Sequence, residues 1–232
     1  MIRIRRSAER GHAEHGWLDS YHTFSFADYH DPAHMGFRAL RVINDDTVAP
    51  GRGFGAHPHR DMEIISYVLD GALAHRDSMG TGSVIEPGDV QRMSAGTGVV
   101  HSEHNASPTA PVHFLQIWLK PASSGGEPRY AQKSLGQAAR PNDLTLLFAP
   151  EPRGDAVGIR ADAEIFFGKL DAEKQLVHRF RPGRAQWLHV IEGEVSVSGE
   201  TLKTGDGAAI ENTEALEIQS REGAQFLLFD LK

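Results

Sequence analysis

Gly51-Arg-Gly-Phe-Gly-Ala-His57-Pro-His59-Arg-Asp-Met-Glu63 and, further on, Gly96-Thr-Gly-Val-Val-His101-Ser-Glu103-His-Asn105 are the two segments on which the reading of this chain turns. In an extended strand successive side chains point to opposite faces, so His57 and His59 share one face, and His101 and Glu103 share another. If a curved sheet brings those faces together, three imidazoles and one carboxylate converge on a transition-metal site with no thiolate. The intervening residues supply the means. Ile64-Ile-Ser-Tyr-Val-Leu69 is β-rich, Asp70-Gly71 is a turn dipeptide and Pro87-Gly-Asp89 a second turn, so short antiparallel strands carry residue 101 back beside residue 57. Spacing alone carries little. With 13 histidines in the chain, composition by itself supplies about one His-x-His and about one His-x-Glu. His12-Ala-Glu14 repeats the second pattern in a polar run.

Composition narrows the classes. The 232 residues can bury a substantial core, as one domain or two small ones. Charge is mildly acidic, 24 Lys and Arg against 31 Asp and Glu, with no basic block, which argues against direct nucleic-acid binding. The absence of cysteine excludes disulfides, zinc fingers and thiolate catalysis. Basic Met1-Ile-Arg-Ile-Arg-Arg6 leads into polar residues and no apolar run is long enough for a membrane helix, so the expectation is a soluble cytoplasmic protein.

Taken in order, Ile2 to Arg5 is a short strand, followed by a loop dense in Trp17, Tyr21, His22, Phe24, Phe26 and Tyr29. Such a group either walls a flat ring-shaped ligand or plugs one end of a barrel. His12, His15, His30 and His34 read as solvated, and His75 either faces the pocket or, as the favoured reading, makes a surface hydrogen bond. Gly51, Gly53 and Gly55 suggest close backbone approach, bulges or a ligand mouth, or else a flexible loop. Val112-His-Phe-Leu-Gln-Ile-Trp-Leu119 is a strand of unfixed phase; Gln116 is a pocket hydrogen bonder if it points inward, and otherwise packs with Phe114 and Trp118. The turn-rich residues 121–128 and the polar run beyond them mark a boundary, giving halves 1–135 and 136–232. The second half holds short, regularly spaced strands, the pattern of a sandwich or barrel. Val68-Leu-Asp-Gly71 with Pro87-Gly-Asp89 is echoed by Val190-Ile-Glu-Gly193 with Thr204-Gly-Asp206. The echo lacks a His-x-His, so the second half reads as structural, covering sheet edges and one wall of the molecule.

The pattern Gly51-x5-His57-x-His59-x3-Glu63, then Gly98-x2-His101-x3-Asn105, resembles the two metal motifs of the cupin superfamily. The runs His57 to Gly71, Ser94 to Gly98 and His22-Thr-Phe-Ser-Phe-Ala27 resemble the pirin family, particularly bacterial pirins associated with quercetin 2,3-dioxygenase activity. The likeness is specific through most of residues 2–130 and mainly architectural beyond 140. It implies an all-β bicupin, two β-barrel or jelly-roll domains in tandem with few short helices. In a generic cupin Glu63 would be a ligand. The pirin pattern instead implies His57, His59, His101 and Glu103, leaving Glu63 as a buried hydrogen-bonding partner or a support to the metal-bound histidines.

Such a set leaves up to two positions open on a six-coordinate ion. The resemblance implies one divalent transition metal, iron(II) first, with manganese, nickel, cobalt, copper or zinc accepting the same donors. It implies a flavonoid-like aromatic substrate and dioxygen, with opening of a flavonol heterocycle, loss of carbon monoxide and Glu103 as general base. A second reading is a metal- and redox-dependent regulator with a protein partner and incidental dioxygenase activity. A third is a zinc or manganese cupin performing isomerisation or hydrolysis.

Overall fold

The computed structural model describes residues 1–134 and 139–232, and their regular secondary structure is almost wholly strand. In chain order they are β1 (Ile2–Arg5), β2 (Gly11–Glu14), β3 (Leu18–His22), β4 (Leu40–Val48), β5 (Gly53–His59), β6 (Glu63–Asp70) and β7 (Leu73–Asp77). Next come β8 (Gly82–Ile85), β9 (Asp89–Ser94), β10 (Val99–Asn105), β11 (Val112–Leu119), β12 (Arg129–Ser134), β13 (Asp143–Ala149) and β14 (Val157–Gly158). The rest are β15 (Ala163–Leu170), β16 (Lys174–Arg179), β17 (Ala185–Val197), β18 (Glu200–Lys203), β19 (Gly207–Ile210), β20 (Ala215–Ser220) and β21 (Ala224–Leu231). One turn of 3-10 helix, Ser7–Glu9, is the helical element among the described residues. No described helix is long and apolar enough to cross a membrane.

A seven-stranded sheet, β12-β9-β6-β11-β4-β3-β2, faces a four-stranded one, β5-β10-β7-β8, and together they form the first barrel. The second is built on β1-β19-β17-β21-β15-β13-β14, with β16, β20 and β18 gathered beside β17. The long β17 serves both layers: Ala185 to Gly193 pairs with β21, and Glu194 to Val197 with β18. The chain turns at Gly193 (φ 79°), where a Cβ would stand 2.3 Å from the Gly223 carbonyl oxygen. Only glycine fits there. The repeat seen in the sequence is therefore a hairpin at Asp70-Gly71 and a kink within one strand at Gly193. The expected division at residues 135/136 lies outside the described residues.

The central strands of the seven-stranded sheet are buried on both faces, and this explains the near-continuous hydrophobic runs of β6 and β11. Ile43, Ile65, Tyr67, Leu115 and Ile117 point away from the barrel and share one core with Phe148, Ile165, Phe167, Trp187 and Phe229 of the second lobe. Each such side chain contributes roughly 1.5–3 kcal/mol on burial. The second lobe thus covers a sheet face, whereas the edge is covered in the opposite direction, by β1 pairing with β19. Phe24 joins the interlobe core with its ring 4.9 Å from Trp187. Alternate residues of β4, β6 and β11 point into the first barrel, among them Asn44, Asp46, Ser66 and Gln116, all buried. The second barrel is filled instead by Phe166, Leu188, Val190, Val195, Leu216 and Phe226. An interior of that kind offers nothing to a cation.

Candidate metal centre

Register brings the sequence-distant ligands together. On β10, His101 lies opposite His57 of β5 on one side and Asp77 of β7 on the other, while Glu103 lies opposite His75. The β5–β10 pairing shifts between His101 and Glu103, a bulge that re-aims the second side chain. Close approach is built in at Gly53, where a Cβ would fall 2.2 Å from the Glu103 carbonyl oxygen.

The rings of His57, His59 and His101 lie 4.5 to 4.8 Å apart, centroid to centroid. One nitrogen of each lies within 4.8 Å of the others. His57 Nδ1 donates to the Gly55 carbonyl (2.7 Å), which leaves its Nε2 as the lone-pair nitrogen. His59 Nε2 and His101 Nε2 are buried without a partner. Orphaned imidazole nitrogens facing one another are costly unless something sits between them. Burial, reinforced by His57, pushes His59 down to about 4. Burial with His57, His59 and His75 pushes His101 to about 2. Both rings are neutral at physiological pH, so no proton need be displaced before a cation binds.

Glu103 stands in a second cluster, with His75 and His101, again within 4.8 Å. Its Oε1 accepts from Ser66 Oγ (2.8 Å) and its Oε2 from Gln116 Nε2 (2.7 Å). Burial raises this carboxyl above the ordinary carboxylate range despite those two bonds. Of the two orientations open to His75, the inward one holds and the favoured surface one does not: its side chain is fully enclosed. The reason is pairing: β7 lies between β8 and β10, and the inward phase falls on residues 73, 75 and 77. His75 Nε2–H donates to Asp77 Oδ2 (3.1 Å), and Asp77 Oδ1 accepts from the backbone of Met79 and Thr81. His75 Nδ1 is then an acceptor and takes the His101 Nδ1–H at 3.5 Å. This chain leaves the His101 lone pair on Nε2, toward His57 and His59.

A polar row crosses the floor of the barrel. His22, Asn44, Gln116, Ser66 and Gln91 are successive cross-strand partners on β3, β4, β11, β6 and β9. His22 Nδ1 bonds Asn44 Oδ1 (2.9 Å), and the Ser66 amide donates to Gln91 Oε1 (3.2 Å). Gln116 therefore points inward, and Phe114 and Trp118 share its face. Glu63 is remote from the cluster in its contacts. It accepts from Ser94 Oγ (2.8 Å) and from the Arg160 amide of the second lobe (3.1 Å), a buried hydrogen-bonding partner between lobes.

A cavity of about 520 Å³ opens beside the cluster, reaching His57, Glu103 and Gln116. Trp17, Phe26, Tyr29, Phe54 and Trp118 wall it, so the N-terminal aromatic loop both lines the cavity and, through Phe24, plugs the space between lobes. His12 and His15 line its mouth, and His12 stacks on Tyr21 with centroids 4.5 Å apart. The donor set, imidazole nitrogens and a carboxylate with no sulfur, fits a divalent transition metal. Ser66, Asp77 and Asp46 escaped the sequence reading as site residues, because each is one polar residue in a strand whose phase depends on its neighbours.

The pirin family model matches residues 2–119, and a model described as the quercetinase C-terminal cupin domain matches residues 146–231. A quercetin 2,3-dioxygenase of Escherichia coli strain K12 is 46% identical over 231 residues, spanning 100% of this chain and 99% of its own. A pirin-like protein of Caulobacter vibrioides is 41% identical over 231 residues, with 99% of each chain covered. The solved structure of the bacterial pirin YhhW from Escherichia coli in complex with nickel(II) has a TM-score of 0.95 at 45% identity, covering 100% of this chain and 99% of that one.

Proposed function

The chain belongs to the pirin family, and from that premise we propose that it is a quercetin 2,3-dioxygenase, a metal-dependent enzyme that opens the heterocycle of a flavonol with dioxygen. We assign His57, His59, His101 and Glu103 as the ligands of one divalent metal, iron(II) before nickel, manganese, cobalt, copper or zinc. The observation that carries the reading is a trio of imidazoles, two with buried unpartnered Nε2 atoms, at the end of an aromatic-walled cavity. When bound, the metal supplies Lewis acidity that stabilises a flavonolate and brings it beside dioxygen.

The chain's own groups do the rest. Trp17, Phe26, Phe54 and Trp118 offer apolar faces to a planar tricycle and exclude water from it. Glu103 accepts one hydrogen bond on each oxygen, so each keeps a further lone pair, one for the cation and one for a proton. Its raised basicity suits it to take the 3-hydroxyl proton of the flavonol. Ser66 and Gln116 hold it in place while it does so. Asp77 and His75 keep His101 in the tautomer that leaves Nε2 free. The balance of the reaction is flavonol plus dioxygen giving a depside plus carbon monoxide.

Anaerobic loading with iron(II), followed by quercetin and then oxygen, is expected to bleach the flavonol absorbance and release carbon monoxide in step with substrate loss. Bleaching without carbon monoxide, or at the same rate in metal-free protein, would overturn the proposal.

A further inference from the structure

Asp45 and Asp46 are neighbours in sequence with opposite fates. Asp45 faces outward to Arg10 and His113, whereas Asp46 points into the barrel and lines the cavity. Asp46 is 3% exposed. Its Oδ1 accepts from Ser20 Oγ, the residue directly across from it on β3. Its Oδ2 has no partner among the described residues and is not among the fully enclosed unpartnered atoms, so its remaining surface opens to the cavity. A carboxyl held this deep is costly without a hydrogen-bonding counterpart. Burial, with Asp45 and Glu103 nearby, raises it to about 7, so near neutrality it can accept or share a proton.

Position adds to chemistry. Asp46 lies two residues along β4 from Asn44, which pairs with Gln116, the residue that donates to Glu103. Two residues of strand advance roughly 7 Å, on the order of the distance between the two outermost rings of a flat three-ring ligand. Trp17, Leu18 and Phe54 give the same cavity an apolar wall, while Ser20 and Asn44 are polar lining beside Asp46. One open carboxyl oxygen in such a wall discriminates strongly between a ligand that meets it with a hydroxyl and one that does not.

We propose that Asp46, anchored by Ser20, is a specificity-determining residue that hydrogen-bonds a phenolic hydroxyl on a ring remote from the one gripped at the metal end. This rests on the flavonol reading above. The test is equilibrium binding to nickel-loaded, anaerobic protein, read by quenching of tryptophan fluorescence, with quercetin and 3-hydroxyflavone as the paired probes. The second probe keeps the 3-hydroxyl and lacks the remote ones. The wild-type protein is expected to hold quercetin about ten-fold tighter. Asp46→Ala removes most of that ratio and leaves 3-hydroxyflavone affinity within about two-fold, while Asp46→Asn restores part of it. Equal weakening of both probes by Asp46→Ala, or no change in either, would overturn the proposal. Should Asp46→Ala fail to fold, Ser20→Ala must narrow the same ratio about three-fold, and an unchanged ratio overturns it. If the wild-type protein binds both probes equally, Asp46 loses this role while the flavonol reading stands. If it binds neither, both fall together.

Discussion

Asp77 holds His75, and His75 holds His101, through a chain that ends on the nitrogen facing the proposed metal. Breaking it with Asp77→Asn replaces an acceptor-only carboxylate by an amide able to donate, so His75 and His101 lose their fixed tautomers. Metal affinity is expected to fall about 10–100-fold, by chelator competition, with the fold kept. Unchanged affinity would mean that the His75–Asp77 pair is only packing. Glu103→Gln should abolish turnover while leaving the circular dichroism spectrum intact; full activity in a metal-loaded variant would remove Glu103 from proton transfer. At this scale the two His-led pairs were legible because spacing by two on a strand is a local property. His75 and Asp77 have the same spacing, yet their meaning depends on β7 lying against β10, which no local pattern encodes. Gln116 was ambiguous for a related reason: with both faces of β11 buried, hydrophobicity does not alternate and phase is lost.

Strands β4 and β11 are tied at one end by Asp45, which accepts from His113 Nε2 at 2.6 Å and from Arg10 at 3.0 Å. Burial would raise Asp45, but the His113 bond and the Arg10 charge outweigh it and hold the carboxyl at about 2. The same bond raises His113 above its ordinary value. The Asp45 contribution is present above the unfolded carboxyl value of 3.8 and fades as pH falls toward about 2. The His113 contribution is present below the unfolded 6.5 and is lost as pH rises through its raised folded value. Melting of His113→Ala against wild type should therefore show its widest gap near about pH 5, narrowing as pH rises above 6.5. With 40% of the His113 side chain exposed, the gap should stay under about 1 kcal/mol. A gap independent of pH would assign the effect to packing. Strand β4 runs through Asp45-Asp46 and on to Val48, because Ser20, His113 and Arg10 supply the partners that let acidic residues lie within a sheet.

The lobes share a core, with Ile43, Ile65, Leu115 and Ile117 on one side and Phe148, Phe167, Trp187 and Phe229 on the other. A chain ending at Ser134 would bare that face, an apolar surface larger than monomers ordinarily tolerate. It is expected to aggregate or to elute above monomer size on gel filtration, whereas the full chain unfolds in one calorimetric transition. A monomeric, cooperatively folded fragment would refute the shared-core account. The internal repeat made two lobes legible, whereas the apolar filling of the second lobe was not read from it. Which surface the second lobe covers was not legible, since both faces of the seven-stranded sheet carry buried apolar residues. One feature of this arrangement reaches beyond the finished molecule. Ile4 takes its ladder partner from Ala208, so on the ribosome the opening strand waits roughly 10–40 s for its mate to be made. During that interval it is an unpaired strand for a chaperone or a neighbouring nascent chain to seize.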